Sequence, residues 1–182
     1  YYTNGNHEQR MKENTDIYGD TYERYKAKLE NCGVCFLENK AENIEKNGMK
    51  FSINGLELDS SVNRKFKKAD VTEKTVEEKI GKKGKDYSIL MAHNPAYMDA
   101  YKKWGADLIL SGHLHGGLVR CPGIGAVVTP QGFLFPKYSG EMRREGEQTI
   151  VVSRGLGSHT INIRLFNMPE VIAIEVLSLI HI

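Results

Sequence analysis

The sequence offers little that would place it among membrane-spanning or disulfide-stapled proteins. It contains no run of eighteen apolar residues, so we expect no transmembrane helix within it. Its three cysteines, Cys32, Cys35 and Cys121, are too few and odd in number for a disulfide framework. An excess of one charge is also lacking, since 25 Lys and Arg stand against 23 Asp and Glu. The resulting net charge of +2 predicts no nucleic-acid-specific surface.

The composition is that of an ordinary globular domain. Hydrophobic residues make up 40% and charged residues 26% of the 182, which are both usual values for a protein with a packed core. A domain of this length buries roughly 70% of the surface that its unfolded chain exposes. We therefore expect a single domain with a sizeable core.

Two short motifs are only weak evidence for a function. Cys32 and Cys35 form a CxxC pair, but a zinc site usually needs a second such pair and a redox motif needs a strand-to-helix context. We interpret both cysteines as small, partly buried side chains at a helix end. The basic run 79–85 is interpreted as a solvated loop, with attraction of phosphate as the alternative.

Hydrophobic periodicity predicts alternating strands and helices in the middle of the chain and mostly strands at its end. Residues 4–8 are interpreted as a loop after a strand that is cut at its start, because the chain opens on Tyr1 rather than on methionine. The predicted helices are 20–31, 73–80 and 95–103. The predicted strands are 34–38, 49–58 with a hairpin turn at Asn54-Gly55, 87–92, 107–110, 149–153, 160–166 and 170–176. This order fits two sheets packed face to face, with helices outside.

Three loops that contain histidine each follow a predicted strand. They are residues 5–8 (GNHE), 92–95 (AHNP) and 111–117 (SGHLHGG). In α/β sheets ligands gather at the carboxyl ends of the strands, so we expect these loops to meet at one edge.

Imidazole and amide groups are good ligands for divalent metals. Histidine suits zinc, iron and similar ions, and amides and carboxylates suit harder ions such as manganese. A His-x-His pair on an irregular loop aims its two rings at different partners, whereas in a strand both would share one face. The glycines at 112, 116 and 117 let the backbone turn tightly around such ligands.

The ordered set GNHE, AHNP and GHLHGG resembles the calcineurin-like metallophosphoesterases, in particular their bacterial members. The resemblance covers the chain from Asn4 to about Val176. It implies an α/β fold, namely a four-layer α/β/β/α sandwich of two mixed sheets, here incomplete at the N-terminus. Residues 1–176 are then the C-terminal portion of one such domain. Residues 177–182 (LSLIHI) are interpreted as an uncertain tail.

The resemblance also implies a role for each matching residue. Asn6, His93 and His113 would bind one metal ion and His115 a second. His7 would contact the scissile phosphate and protonate the leaving oxygen as general acid, and Glu8 would orient His7. The implied cofactors are two divalent metal ions (manganese, iron or zinc), and the implied substrate is a phosphate ester. The implied reaction is therefore hydrolysis by a phosphatase or phosphodiesterase, with water activated between the two ions.

One departure from the family pattern is serious. The Asp-x-His and Gly-Asp-x-x-Asp motifs, which precede GNHE in the family, are absent. We interpret the chain as N-terminally truncated and expect it to be nearly inactive alone. Its location, cytoplasmic or membrane-associated, would depend on the upstream segment, and its oligomeric state is open.

Two alternatives remain at this point. The first is a non-catalytic scaffold of the same fold that has lost metal binding. The second is a single zinc ion bound by His93, His113 and His115 with one open position.

Overall fold

The computed structural model describes residues 1–63, 69–121, 123–129, 134–157 and 164–177. Its helices are α1 (Asn6–Glu13), α2 (Thr15–Tyr18), α3 (Thr21–Asn31), α4 (Glu73–Ile80) and α5 (Met98–Trp104), with 3-10 turns at Ser60–Asn63 and Pro95–Tyr97. Its strands are β1 (Lys40–Lys46), β2 (Met49–Leu56), β3 (Tyr87–Ala92), β4 (Leu108–Ser111), β5 (Val119–Cys121), β6 (Gly125–Val128), β7 (Met142–Glu145) and β8 (Gln148–Val152).

The strands form one mixed sheet and one small hairpin sheet. The six-stranded sheet has the order β1-β2-β3-β4-β8-β7, and the second sheet pairs β5 with β6. Strands β2, β3, β4 and β8 run parallel, while β1 and β7 are antiparallel edge strands. The predicted α/β fold with two sheets is therefore confirmed.

The core lies between the parallel strands and the pair α4 and α5. Leu90, Ile109 and Ile150 of the central strands are fully buried, and so are Val76 of α4 and Tyr101 of α5. Side chains of this size each contribute about 1.5–3 kcal/mol on burial. This packing fixes the positions of the strand ends and of the loops that follow them.

The first residues of the chain lie in a layer on the other side of β2. Tyr2 forms a parallel bridge with Phe36, and Leu37 N donates to Tyr2 O at 2.8 Å. Leu37 in turn packs on Gly55 of β2 so closely that an ideal Cβ on Gly55 would stand 2.1 Å from Leu37 O. Because Gly55 has no side chain, the layer packs directly on β2. The start of α1 therefore lies at the edge of the sheet.

Several local predictions are confirmed. The predicted helices at 20–31 and 73–80 are α3 and α4, and the segment 95–103 is a 3-10 turn followed by α5. The strands expected at 87–92, 107–110 and 149–153 are β3, β4 and β8 within one residue at each end.

The predicted hairpin turn is wrong. Strand β2 runs straight through Asn54 and Gly55, and the turn lies instead at Asn47-Gly48, where both residues have positive φ. Gly55 serves the close contact with Leu37 rather than a turn. Strand β1, which the prediction missed, is the first arm of the real hairpin.

Other predictions also need correction. Residues 6–8 form the first turn of α1 and are not in a loop. Cys32 and Cys35 are exposed rather than partly buried. Segment 34–38 forms only the bridge at Phe36, and 170–176 is extended without strand pairing. Residues 160–163 of the predicted strand 160–166 lie outside the described residues, as do 178–182. Among the described residues, no helix has the length and apolar character that crossing a bilayer requires.

Candidate metal centre

Two neighbouring parallel strands position the first pair of histidines. His93 follows the last residue of β3, and His113 follows β4 by one glycine. The strand ends are tied together, because Gly112 N donates to His93 O at 3.0 Å and Ser111 Oγ donates to Ala92 O at 2.7 Å. The two imidazole rings lie edge to face with centroids 5.0 Å apart.

Asn6 approaches this pair from the N-terminus of α1. Its Oδ1 lies 2.9 Å from His93 Nε2 and 3.1 Å from His113 Nδ1. The two ring nitrogens are themselves 3.2 Å apart. Three ligand-type atoms from distant parts of the chain thus converge on one point.

These three separations suit a bound metal ion. An ion held at about 2.0–2.2 Å by nitrogen and oxygen ligands spaces neighbouring ligand atoms about 2.9–3.5 Å apart. The amide and imidazole donors fit zinc, iron and manganese alike. No group of three or more His, Cys, Asp and Glu side chains suitable for a metal occurs in the described residues, and the third atom of this set is the amide oxygen of Asn6.

Burial favours the neutral forms of the two partly buried histidines His93 and His115. Burial lowers the pKa of His93 to about 4, with His115 and His7 lowering it and Glu8 opposing. Burial also lowers the pKa of His115, and the charge of Arg164 acts in the same direction. A neutral imidazole has the lone pair that a metal ligand needs.

The loop after β4 has an unusual backbone. His113, His115, Gly116 and Gly117 all have positive φ, at 66°, 49°, 74° and 88°. Such values are uncommon for residues with a side chain and mark positions that the surroundings hold in place. The loop therefore presents His113 and His115 to different partners, as the sequence predicted.

His115 lies apart from the cluster of Asn6, His93 and His113 in its hydrogen bonding. Its Nδ1 is 3.1 Å from the carbonyl oxygen of Gly157, and Arg164 Nη2 is 3.5 Å from the same nitrogen. The carbonyl of His115 accepts from Asn167 Nδ2 at 2.6 Å.

Comparison with known proteins agrees with this geometry. Residues 1–117, which include every histidine discussed so far, match the model of the family described as calcineurin-like phosphoesterase. The chain belongs to this family. No solved structure matches it significantly.

Three curated bacterial relatives are similar to this phosphoesterase chain. The uncharacterized metallophosphoesterase YkoQ of Bacillus subtilis is 28% identical over 92% of the chain and 56% of its own length. The uncharacterized metallophosphoesterase YkuE of the same organism is 35% identical over 47% of the chain and 29% of its own length. The phosphodiesterase YaeI of Escherichia coli is 34% identical over 48% of the chain and 31% of its own length. The chain thus spans about half the length of YkoQ, and the other two matches span about a third of their relatives.

The two residues predicted to handle protons lie in the first turn of α1. His7 is exposed and close enough to affect the titration of both His93 and His115. Glu8 Oε2 accepts from Gly5 N at 3.0 Å and so caps the helix. In the described residues the Glu8 carboxylate makes no hydrogen bond to His7, and its orienting role stays a prediction.

Sequence reasoning identified the residues that converge in this phosphoesterase chain but missed those that support them. Asn6, His93 and His113 come together as predicted, and their metal-binding role remains a prediction. The alternative of a single zinc ion bound by His93, His113 and His115 also stays a prediction. Asn167 and Gly157 were missed, because a lone amide and a backbone carbonyl carry no motif.

Proposed function

We propose that this chain contributes the histidine-rich part of a metal-dependent active site that hydrolyses phosphate esters, as a phosphatase or phosphodiesterase. The observation that carries the proposal is the convergence of Asn6 Oδ1, His93 Nε2 and His113 Nδ1 within 3.2 Å of one another. Membership of the calcineurin-like phosphoesterase family supports it. So does the similarity to YaeI of Escherichia coli, which is named as a phosphodiesterase.

Each residue of the site would have its own role. Asn6, His93 and His113 would hold one divalent ion, and His115 would contribute to a second. When bound, such a pair of ions supplies an activated water and neutralises charge on the phosphate. His7, exposed at the N-terminal end of α1, would protonate the departing oxygen. A general acid of this kind typically contributes 10²–10⁴-fold in rate.

The chain alone would turn over little substrate. Its residues supply three ligands to one ion and a single ligand, His115, to the other. The carboxylate motifs of the family are absent from the 182 residues. Two-metal hydrolysis needs both ions to clamp the attacking and leaving oxygens, so we expect activity to require the segment that carries those motifs.

Metal analysis combined with hydrolysis of aryl phosphate mono- and diesters, on the full-length gene product, tests the proposal. We expect about two metal ions per chain and manganese-stimulated turnover. Asn6→Ala should remove about one ion per chain and abolish turnover, because it deletes the oxygen ligand. The matched control is Asn43→Ala on the exposed edge strand β1, which should keep both.

The opposite result is equally informative. A full-length protein that binds no metal and hydrolyses no phosphate ester would establish the non-catalytic scaffold of the same fold instead. Metal binding with an unchanged stoichiometry in Asn6→Ala would contradict the ligand assignment.

A further inference from the structure

Residues 164–170 form a segment, here called the clasp, that touches both loops next to His115. Its Leu165 forms a parallel bridge with Val119 at the start of β5, and Arg120 N donates to Leu165 O at 3.1 Å. This pairing turns Arg164 toward the loop 154–157 and Asn167 toward the loop 113–117. The clasp therefore connects the two loops that follow the paired strands β4 and β8.

Asn167 holds the backbone of the histidine loop directly. It is 2% exposed, and its Nδ2 donates to His115 O at 2.6 Å and to Gly117 O at 2.7 Å. Both partners are carbonyls, which only accept, so the amide orientation is fixed. The two bonds lie on either side of Gly116 and stabilise the loop in which His115 has a positive φ, which is costly for a residue with a side chain.

Gly116 is required for this contact. An ideal Cβ at Gly116 would stand 2.3 Å from Asn167 Oδ1, which no real contact allows. Asn167 Oδ1 is buried and accepts no hydrogen bond from the part of the chain that the structure describes. Leaving such an acceptor unsatisfied costs about 1–3 kcal/mol. The two hydrogen bonds donated by Asn167 Nδ2 therefore determine the orientation of the amide, although its oxygen lowers the stability of the fold.

Arg164 organises the second loop. Its Nη2 donates to Arg154 O at 2.8 Å, to Gly155 O at 3.3 Å and to Gly157 O. A guanidinium only donates hydrogen bonds, and three carbonyls gathered around one nitrogen fix the path of the loop. The carbonyl of Gly157 is thereby presented to the ring of His115.

The contact with Gly157 decides which ring nitrogen of His115 carries the proton. A carbonyl oxygen only accepts, and the 3.1 Å contact with it is shorter than the 3.5 Å approach of the Arg164 guanidinium to the same nitrogen, so the geometry favours the proton on Nδ1. The lone pair is then on Nε2. Metal-ligating histidines almost always donate their second ring N–H to a carbonyl or carboxylate in this way.

We propose that Asn167 and Arg164 are positioning residues for His115, with Asn167 holding its backbone and Arg164 holding the Gly157 carbonyl that selects its tautomer. This inference rests on the proposed function, because it assigns a purpose to the clasp only if His115 binds metal. Neither residue touches the reacting atoms.

The first test needs no metal. Nitrogen-15 spectra of the histidine rings in the metal-free chain should show His115 with its proton on Nδ1. Arg164→Ala and Asn167→Ala should lose this preference, and Arg164→Lys, which keeps one donor and the charge, should restore part of it. The matched control is Asn54→Ala, which removes another buried amide, one that bonds Ser88 Oγ at 3.1 Å. It should lower the melting temperature without changing the His115 signal.

The second test is a metal titration of the full-length gene product. We expect Asn167→Ala and Arg164→Ala to weaken the binding of one metal ion by about 10–100-fold, the usual effect of losing an outer hydrogen bond to a ligand. Asn54→Ala should bind as the parent protein does. If Asn167→Ala does not fold, the Arg164 variants decide the matter in both tests.

Two results would overturn the inference. One is a His115 ring that carries its proton on Nε2 in the parent chain. The other is a pair of clasp variants that lower the melting temperature as Asn54→Ala does, with the tautomer and the metal affinity unchanged. A parent protein that binds no metal would instead overturn the proposed function, and the tautomer spectra would still decide the positioning role.

Discussion

The neutral state of His93 is the residue-level property on which the centre depends. Its ring follows β3, in which every second residue is buried, and burial lowers its pKa to about 4. An imidazole that stayed protonated near neutral pH would have no lone pair for a metal and would repel it. Burial therefore prepares this ligand before any ion arrives.

His7 differs from the other histidines of the centre because it is exposed and belongs to a helix turn. We predict that His7→Ala in the full-length protein keeps its metal content but loses about 10²–10⁴-fold in turnover of esters with poor leaving groups. Aryl esters with good leaving groups need less proton transfer and should lose much less. Metal analysis and the rates on the two ester classes check this.

A different pattern would remove His7 from its role. Equal rate losses on both ester classes would mean that His7 does not act as the general acid. The matched control is Arg10→Ala, an exposed position one turn further along α1, which should leave both rates near those of the parent.

At the scale of elements, the contact between Gly55 and Leu37 sets the distance between the sheet and the layer that carries Asn6. We predict that Gly55→Ala destabilises the protein by about 1–3 kcal/mol, because its Cβ would stand 2.1 Å from Leu37 O. The displaced layer should also draw Asn6 away from His93 and reduce metal binding. Denaturant unfolding and metal titration measure the two effects.

Gly84 provides the matched control for Gly55. An added Cβ there meets no atom within 4 Å, so Gly84→Ala should change stability by at most about 0.5 kcal/mol. If Gly55→Ala were as stable as Gly84→Ala and bound metal normally, the layer would not depend on this contact.

The elements also show how far sequence reasoning reaches. Strands β3 and β4 were predictable, since each is an apolar run that ends in turn-forming residues, and the histidines after them were therefore placed correctly. The hairpin was not, because the neighbouring pairs Asn47-Gly48 and Asn54-Gly55 have the same turn preference. The choice between Asn47-Gly48 and Asn54-Gly55 depends on the packing of Leu37, which no local pattern reveals.

The supports of the site were equally hidden from the sequence. Asn167 acts on backbone carbonyls 52 and 50 residues away, and a carbonyl has the same chemistry at every position. The helix α1 at Asn6–Glu13 was also missed, because nearly all its residues are polar and they form no apolar stripe that would reveal a helical period. Local patterns thus located the ligands, whereas long-range packing determined how they are held.

At the scale of the whole molecule, one carboxylate joins the N-terminal helices to the rest of the layer. Glu38 accepts from Tyr22 of α3 at 2.5 Å and from Lys12 of α1 at 2.6 Å, and it also pairs with Lys26. Burial raises its pKa, but the bonds from both lysines and the tyrosine outweigh burial and hold that pKa at about 2.

This network predicts that the stability of the protein decreases at acidic pH. A carboxyl whose pKa is about 2 when folded and 4.5 when unfolded stabilises the protein fully above about pH 4.5. The contribution is lost as the pH falls from there to about 2. We expect Glu38→Gln to cost about 1–3 kcal/mol near neutral pH and to flatten the decline of the melting temperature below pH 4.5.

Melting curves between pH 7 and pH 2.5 measure this effect. Glu42→Gln, at an exposed position of the edge strand β1, should follow the parent protein throughout. If Glu38→Gln kept the full acid dependence of the parent, the ion network would not be its source.

The long-range assembly of the centre has a consequence for protein synthesis. Asn6 and His113 are 107 positions apart, so at about 5–20 residues per second Asn6 leaves the ribosome roughly 5–20 s before its partner. The clasp follows later still, because Asn167 comes 52 positions after the carbonyl that it holds. During translation the histidines are therefore displayed before the amide that fixes their loop has been made. A nascent chain that stops short of residue 167 would contain Asn6, His93, His113 and His115 but not the amide of Asn167 that bonds the carbonyls of the histidine loop.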